Sequence, residues 1–250
     1  KSLAPTLCLQ LRNRHGQLLR KLRQIDRAVS VHKSAEQLAT TLNHPQLLAE
    51  TWFNLSADYR FCRDYEKARR YGQNALTIFF QTPATSRWQA ATLNTLGLIE
   101  LSCGNLDQAE QFLRQSLALW QPHDEPIEQA RVLNGLALTL HRKKQYEAAL
   151  YFYSQTAEQL EKTTSEIDHM ELLLNLGSLY YDWERYDRAE ISFRQAFAVA
   201  QRNPGQLYFQ GLIANNLGNV LLKQHELEEA KKQLQHAEFF WRQLKDELML

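Results

Sequence analysis

Apolar positions recur along the chain at the three-to-four-residue spacing of amphipathic helices, and one short phrase returns within that pattern. It is a bulky apolar residue, an acid, any residue and an alanine: IDRA (25–28), YEKA (65–68), LDQA (106–109), YEAA (146–149), YDRA (186–189) and LEEA (227–230). The closing alanines Ala28, Ala68, Ala109, Ala149, Ala189 and Ala230 follow one another at steps of 40, 41, 40, 40 and 41 residues. Twelve residues before each stands Gly16, Ser56, Gly97, Ala137, Gly177 or Gly218, and seven after each stands Ala35, Ala75, Ser116, Thr156, Ala196 or Ala237. Three linked offsets held six times define a repeat, and repeats are sought before domains are counted.

The residue types have physical reasons. Each unit reads as two helices joined by a tight turn, such as SCGN (102–105) or WER (183–185). Small residues fit where helix axes approach to roughly 8–10 Å and a larger side chain would overpack. A mid-helix glycine costs about 1 kcal/mol against alanine, which close packing has to offset. The bulky residue of the phrase opens the second helix and packs back on the first. The acid after it (Asp26, Glu66, Asp107, Glu147, Asp187, Glu228) falls in that helix's first turn. There a carboxylate meets unpaired N–H groups and the positive dipole end, worth ~0.3–1 kcal/mol, so the six acids are structural rather than catalytic. Prolines mark the joints between units: HP (44–45), TP (82–83), QPHDEP (121–126) and NPG (203–205), since Pro is tolerated in a first turn and disfavoured inside a helix. The predicted helix pairs are 5–22/25–41, 45–61/64–81, 85–102/105–120, 126–142/145–162, 165–182/185–202 and 205–222/226–248.

The spacing of small residue, alanine and small residue, with NLG at 175–177 and 216–218, resembles the tetratricopeptide repeat over about residues 8–245. The period of 40–41 departs from that family's common 34. It is similar to the long-period variant of kinesin light chains, spindle-orientation adaptors, bacterial peptide-pheromone receptors and the sensor arms of LuxR-type activators. The resemblance implies an all-α, right-handed superhelical solenoid of six helix-turn-helix repeats forming one domain over 1–250. It also implies a non-catalytic scaffold whose first helices line a concave surface for protein or peptide segments, in the sensing arm of a larger bacterial signalling or transcription-regulating protein; the alternative is a purely structural arm that packs on a catalytic or nucleotide-binding domain of the same chain. A chain that starts at Lys1 without an initiator Met fits a piece of such a parent.

One feature of the residues points the same way. Each first helix carries an Asn two or three residues before its small residue: Asn13, Asn54, Asn94, Asn134, Asn175 and the pair Asn215/Asn216. Asn is a mediocre helix former, but its amide both donates and accepts, which suits a peptide backbone of any sequence. The same amides could instead bridge adjacent repeats, and both readings stand at this point. Helical spacing from these Asn adds Arg20, Lys21, Glu50, Arg60, Arg131, His141, Arg142, Glu171, Ser178, Tyr181, Asp182, Asn219 and Lys223 to the same face. The peptide-binding set expected is Asn13, Asn54, Asn94, Asn134, Asn175, Asn215, Asn216, Asn219, Arg60, Arg131, His141, Arg142 and Tyr181. Its basic lean suggests an acidic partner segment.

Charge changes this picture little. The chain's net charge is +1, but residues 1–35 hold eight Lys/Arg against Asp26 alone, a local +7. Without interleaved aromatics or a recognisable motif, that basic unit reads as a solvated or intramolecular docking face before a nucleic-acid site. There is no phosphate-binding glycine loop, no H-E-x-x-H and no C-x-x-C, so no catalytic residue, metal site or cofactor is expected. Cys8, Cys62 and Cys103 lie within apolar helical patterns and read as buried, reduced thiols of a cytoplasmic protein, and no apolar run is long enough to span a membrane. On the last helix, Leu227, Ala230, Leu234, Ala237, Trp241, Leu244 and Leu248 form a stripe that packs back on its repeat, with Phe239, Phe240 and Leu250 off it. A solenoid end should be polar outside. This one is expected to be followed by further repeats or to self-associate.

Overall fold

A computed structural model describes residues 3–203 and 205–249, with side chains described for 4–203 and 205–245. Pro204 of the last joint, the side chain of Leu248 and all of Leu250 lie outside the described residues. Among the described residues the chain forms twelve α-helices and no strand. They are α1 (Leu3–Lys21), α2 (Ile25–Thr41), α3 (Pro45–Phe61), α4 (Tyr65–Gln81), α5 (Ser86–Cys103), α6 (Leu106–Trp120), α7 (Pro126–Arg142), α8 (Tyr146–Leu160), α9 (Glu166–Asp182), α10 (Tyr186–Arg202), α11 (Leu207–Lys223) and α12 (Leu227–Met249). Every boundary falls within two residues of the expected one. The fold is an all-α repeat fold. The chain divides into two compact units, Lys1–Glu128 and Gln129–Leu250.

Helix starts follow local chemistry. Pro45 opens α3 behind His44, whose Nδ1 accepts from the Leu47 N–H, Asp64 accepts from the Lys67 N–H, and Ser165 from that of Asp168. The expected acids sit in the first turns of α2, α4, α6, α8, α10 and α12. Each turn inside a repeat contains one left-handed residue in the same register: Arg23, Arg63, Gly104, Lys144, Glu184 and His225, with φ between 59° and 83°. Only one of the six is glycine.

Packing explains the small residues. Four positions after each closing alanine, the second helix directs a side chain at the small residue of the first. A Cβ added at Gly177 would lie 2.5 Å from the Phe193 ring, and at Gly97 2.7 Å from Leu113. The second repeat inverts this size rule. Ser56 faces Gly72, and Leu96 of the next repeat fills the space, its Cδ2 2.8 Å from a Cβ built on Gly72. The first repeat substitutes chemistry for size, placing His32 against Gly16.

In the first unit the core runs through Leu9, Ala35, Ala39 and Leu47, then Ala49, Ala75 and Phe79, then Ala68, Leu96 and Ile99. In the second it runs through Ala149, Tyr153, Leu160, Leu172 and Leu179, then Ala189, Phe193, Ala200, Ile213, Leu217 and Val220. Tyr153 is sealed with its hydroxyl unpaired, and burial alone pushes its phenol upward.

The first unit also buries charge. Asp58 and His32 are both fully enclosed, with His32 Nδ1 2.5 Å from Asp58 Oδ2. Arg20 Nη1 donates to Asp58 Oδ1 at 2.7 Å, and the other His32 nitrogen faces the Asn13 carbonyl at 3.2 Å. Asp58 occupies the position held by Ile99, Leu179 and Val220 in other repeats. A second cluster closes on Glu100, also enclosed. Arg69 grips it with two bonds of 2.6 and 3.1 Å while Asn105 donates at 2.7 Å. The Arg69 guanidinium holds the Glu100 carboxyl below its ordinary value against the cost of burial, with Asn105 assisting.

Two expectations fail. Cys8, Cys62 and Cys103 are free but exposed, because Cys62 and Cys103 fall at the final turns of their helices, beyond the inter-helix seam. The terminal stripe is also incomplete. Ala230 and Ala237 are buried and Trp241 covers Gly211, but Leu227 lies open. Phe240, expected off the stripe, packs edge-on against Phe197 at 6.2 Å, whereas Phe239 is exposed.

Candidate functional site

The first helices of successive repeats adjoin within each unit, α1 with α3, α3 with α5 and α9 with α11. The Asn series sits on these seams and divides by environment. Asn13 is buried, and its amide donates to Thr51 Oγ1 at 3.1 Å, which donates on to the Leu47 carbonyl. Asn54 is buried, with Oδ1 accepting from Gln17 at 3.0 Å and its carbonyl from Arg20 at 3.2 Å. In the second unit Asn175 donates to Asn134 Oδ1 at 3.0 Å. These four amides bridge adjacent repeats, as the structural reading of the series had it. Asn94 is half-buried with its Oδ1 enclosed and unpaired.

The end of the series differs. In the second unit, Ser178, Tyr181 and Asp182 of α9, Phe193 of α10, and Asn216 and Asn219 of α11 line a pocket of about 190 Å³. The Ser178 hydroxyl donates to the Leu174 carbonyl in its own helix at 3.0 Å, and the Tyr181 ring meets Tyr186 edge-on at 5.7 Å. The Asn216 and Asn219 side chains are half-buried and make no hydrogen bond with described residues, and Asn215 is half-buried beside them. The one charged group of the lining is Asp182, whose Oδ2 pairs with His141 Nε2 at 2.9 Å, while His141 itself is nearly enclosed with Nδ1 unpaired. Of the expected site residues, the pocket gathers Tyr181, Asn216 and Asn219, with His141 behind its carboxylate. Phe193 was missed because it belongs to a second helix. It enters through the floor left open by Gly177, a signal present in the offset of sixteen between the two.

The basic members are spent elsewhere. Arg131 Nε donates to Asp168 at 3.2 Å, Arg60 lies over the Phe61 ring at 4.7 Å, and Arg142 is exposed at the last turn of α7. In the first repeat Arg12 donates to the Ser34 carbonyl, Arg20 to Asp58 and Arg27 to Gln24, while Lys33 binds Glu36 and Tyr71. Much of the local positive charge is therefore internal to the fold. Among the described residues no group of three or more His, Cys, Asp or Glu is arranged to hold a metal ion, and no helix is long and apolar enough to cross a membrane.

The sequence profile of the tetratricopeptide repeat matches residues 47–122, 88–162, 128–202 and 168–243, overlapping windows that cover more than half of the chain. The chain is a tetratricopeptide-repeat protein. No curated protein sequence matches it significantly. Among solved structures, the repeats are similar to BtubC (BKLC) of P. vanneervenii at a TM-score of 0.70 and 20% identity, covering 91% of this chain and 92% of that one. They are similar to Cut9 in the APC/C Cut9–Hcn1 hetero-tetramer at 0.75 and 18%, covering 93% and 40%. They also match the Rap conjugation gene regulator of plasmid pLS20, in complex with the Phr* peptide, at 0.70 and 14%, covering 92% and 73%. At these identities the likeness shows the fold alone, and the tetratricopeptide repeats stand as a protein-binding type of scaffold.

Proposed function

We propose that this tetratricopeptide-repeat chain is a non-catalytic peptide-binding scaffold, and that the α9–α11 pocket is where a partner segment seats. The observation that carries this reading is the contrast within the Asn series. Four amides bond across repeat seams, whereas Asn216 and Asn219 line a pocket with their hydrogen-bonding capacity unspent. A pair of amides beside an aromatic ring and a carboxylate can hold a peptide backbone and one side chain. The complex of a similarly folded regulator with a peptide supports the same use. We place the chain in the cytoplasm, as the sensing part of a regulatory protein; its three free thiols suit a reducing compartment.

The chemistry of the pocket favours a donor-bearing segment over the acidic one suggested by the basic lean of the sequence. Asp182 is its only charged group, and Arg131 is turned to Asp168. Panning a displayed random-peptide library on the chain tests the proposal. Selected peptides should carry Lys, Arg or a free amine and should lose at least about tenfold in affinity, roughly 1.4 kcal/mol, to Asn216→Ala with Asn219→Ala. The melting temperature should not move. Selected peptides that bind this variant unchanged would place the binding surface elsewhere and end the proposal.

A further inference from the structure

The two ends of the described array expose the two halves of one interface. Five residues before and two after the small residue, each first helix presents side chains to the second helix of the preceding repeat. At the earlier position Leu172 clusters with Leu160, and Ile213 with Ala200. At the later one Ile99 clusters with Ala68 and Tyr65, and Val220 with Ala189 and Tyr186. None of Leu172, Ile213, Ile99 and Val220 is more than 4% exposed. In α1 these same positions are Leu11 and Leu18, which are 56% and 58% exposed, and Leu22 one turn on is 66% exposed. Leu22 corresponds to Trp183, which stacks on Tyr146 of the preceding repeat at 5.7 Å.

The other end is complementary. Trp241 occupies the position of Phe79, Leu160 and Ala200, each sealed against the following first helix, yet it is 42% exposed. Leu227 occupies the position of Tyr65, Tyr146 and Tyr186, which pack forward onto the next repeat, and it too lies open. Charge agrees in sign: Arg14, Lys21 and Arg23 are exposed at the head, while residues 226–250 hold six acids against four bases.

We propose that copies of this chain associate head to tail, with α12 of one seated on α1 of the next. Trp241 of the first copy then covers Leu11 of the second, and Leu227 lies against Leu18 and Leu22. The contact reproduces a repeat-to-repeat seam, and because it joins two different surfaces it is heterologous and propagates beyond a dimer unless a ring closes. The inference is independent of the pocket and of what the pocket binds.

The test is mass in solution. Light scattering should show the 29.2 kDa chain growing in average mass as concentration rises. Leu11→Glu with Leu18→Glu blocks the head and Leu227→Glu blocks the tail. Each variant should remain monomeric alone, with helical circular dichroism and melting unchanged. Their equimolar mixture should yield a species of two chains and nothing larger, because one free tail meets one free head. A wild-type chain that stays monomeric at every concentration would overturn the proposal. So would a tail-blocked variant that still pairs with itself, which would mean that two α1 helices meet each other.

Discussion

At the residue scale, the buried Asp58–His32–Arg20 cluster does work that apolar side chains do in later repeats. Removing one partner from such a set leaves the others desolvated without compensation, which costs about 3–5 kcal/mol. Asp58→Ala should therefore lower the urea midpoint by a corresponding amount. Replacing the pair together, Asp58→Ile with His32→Leu, should recover most of the loss, because apolar residues fill the equivalent pair of positions at later seams, Tyr153 with Leu179 and Phe193 with Val220. A double variant no more stable than Asp58→Ala would mean that the cluster's geometry, not its charge balance, is what the first unit needs. Glu100 gives the pH counterpart. Its carboxyl is held below the ordinary value of 4.5 by Arg69. The stability it contributes is thus complete above 4.5 and is lost as the pH falls through its lowered value in the fold. Glu100→Gln should be less stable than wild type at neutral pH, with the gap closing as the pH drops below that range. A gap that stays constant in acid would remove the ion pair from the account. These clusters were not legible in the sequence as networks, because their ionic partners lie 26 to 38 residues apart and meet only across a seam. The trace that was legible is a break in register: an acid at a position where the five other repeats place Leu, Ile, Thr or Val. The Asn series was legible as positions, but which amides are consumed depends on neighbours such as Thr51 and Gln17 that no periodicity marks.

At the element scale, the offsets read from the sequence are the packing of one helix on the next, which is why the boundaries could be set so closely. The small residues of the first helices recur because a side chain of the second helix fills the space over them, which leaves no room for a larger residue there. What could not be read is the turn. Five of the six turn residues are Arg, Lys, Glu or His in the left-handed region, where any L-residue with a Cβ is strained by ~1–2 kcal/mol. Their exposed side chains carry no shared signature. Gly104 alone meets the conformation without strain, at φ 83°, with nothing within 4 Å of a Cβ built on it. Glu184→Gly should accordingly stabilise the chain by up to ~1 kcal/mol, and Gly104→Ala should destabilise it by a similar amount. Thermal melts of the two variants check this, and their shifts should be opposite in sign. If both lower the melting point, the Glu184 side chain contributes more through its surroundings than its backbone costs.

At the scale of the whole molecule, an array in which each repeat is sealed mainly by its neighbours should transmit damage only locally. The first unit encloses charged seams (Arg20 and His32 to Asp58, Arg69 to Glu100), whereas the second keeps its ion pairs nearer the surface (Arg131 to Asp168, His141 to Asp182) over aromatic and aliphatic cores around Tyr153 and Phe193. Two substitutions can therefore interrogate the two units separately. Asp58→Ala strips the partner from Arg20 and His32. Gly177→Ala forces a methyl into the Phe193 ring, an overpacking of about 1–3 kcal/mol. Amide hydrogen exchange under native conditions should show Asp58→Ala accelerating α1 to α4 while α9 to α11 keep their wild-type protection, and Gly177→Ala doing the reverse. The Gly177 variant should also disturb the α9–α11 pocket, because Phe193 forms its floor. Peptide affinity would then fall with a change in the first unit's exchange too small to measure. Uniform acceleration of all twelve helices by either substitution would show that the chain opens as one cooperative body, and that the repeat seams carry strain along its whole length.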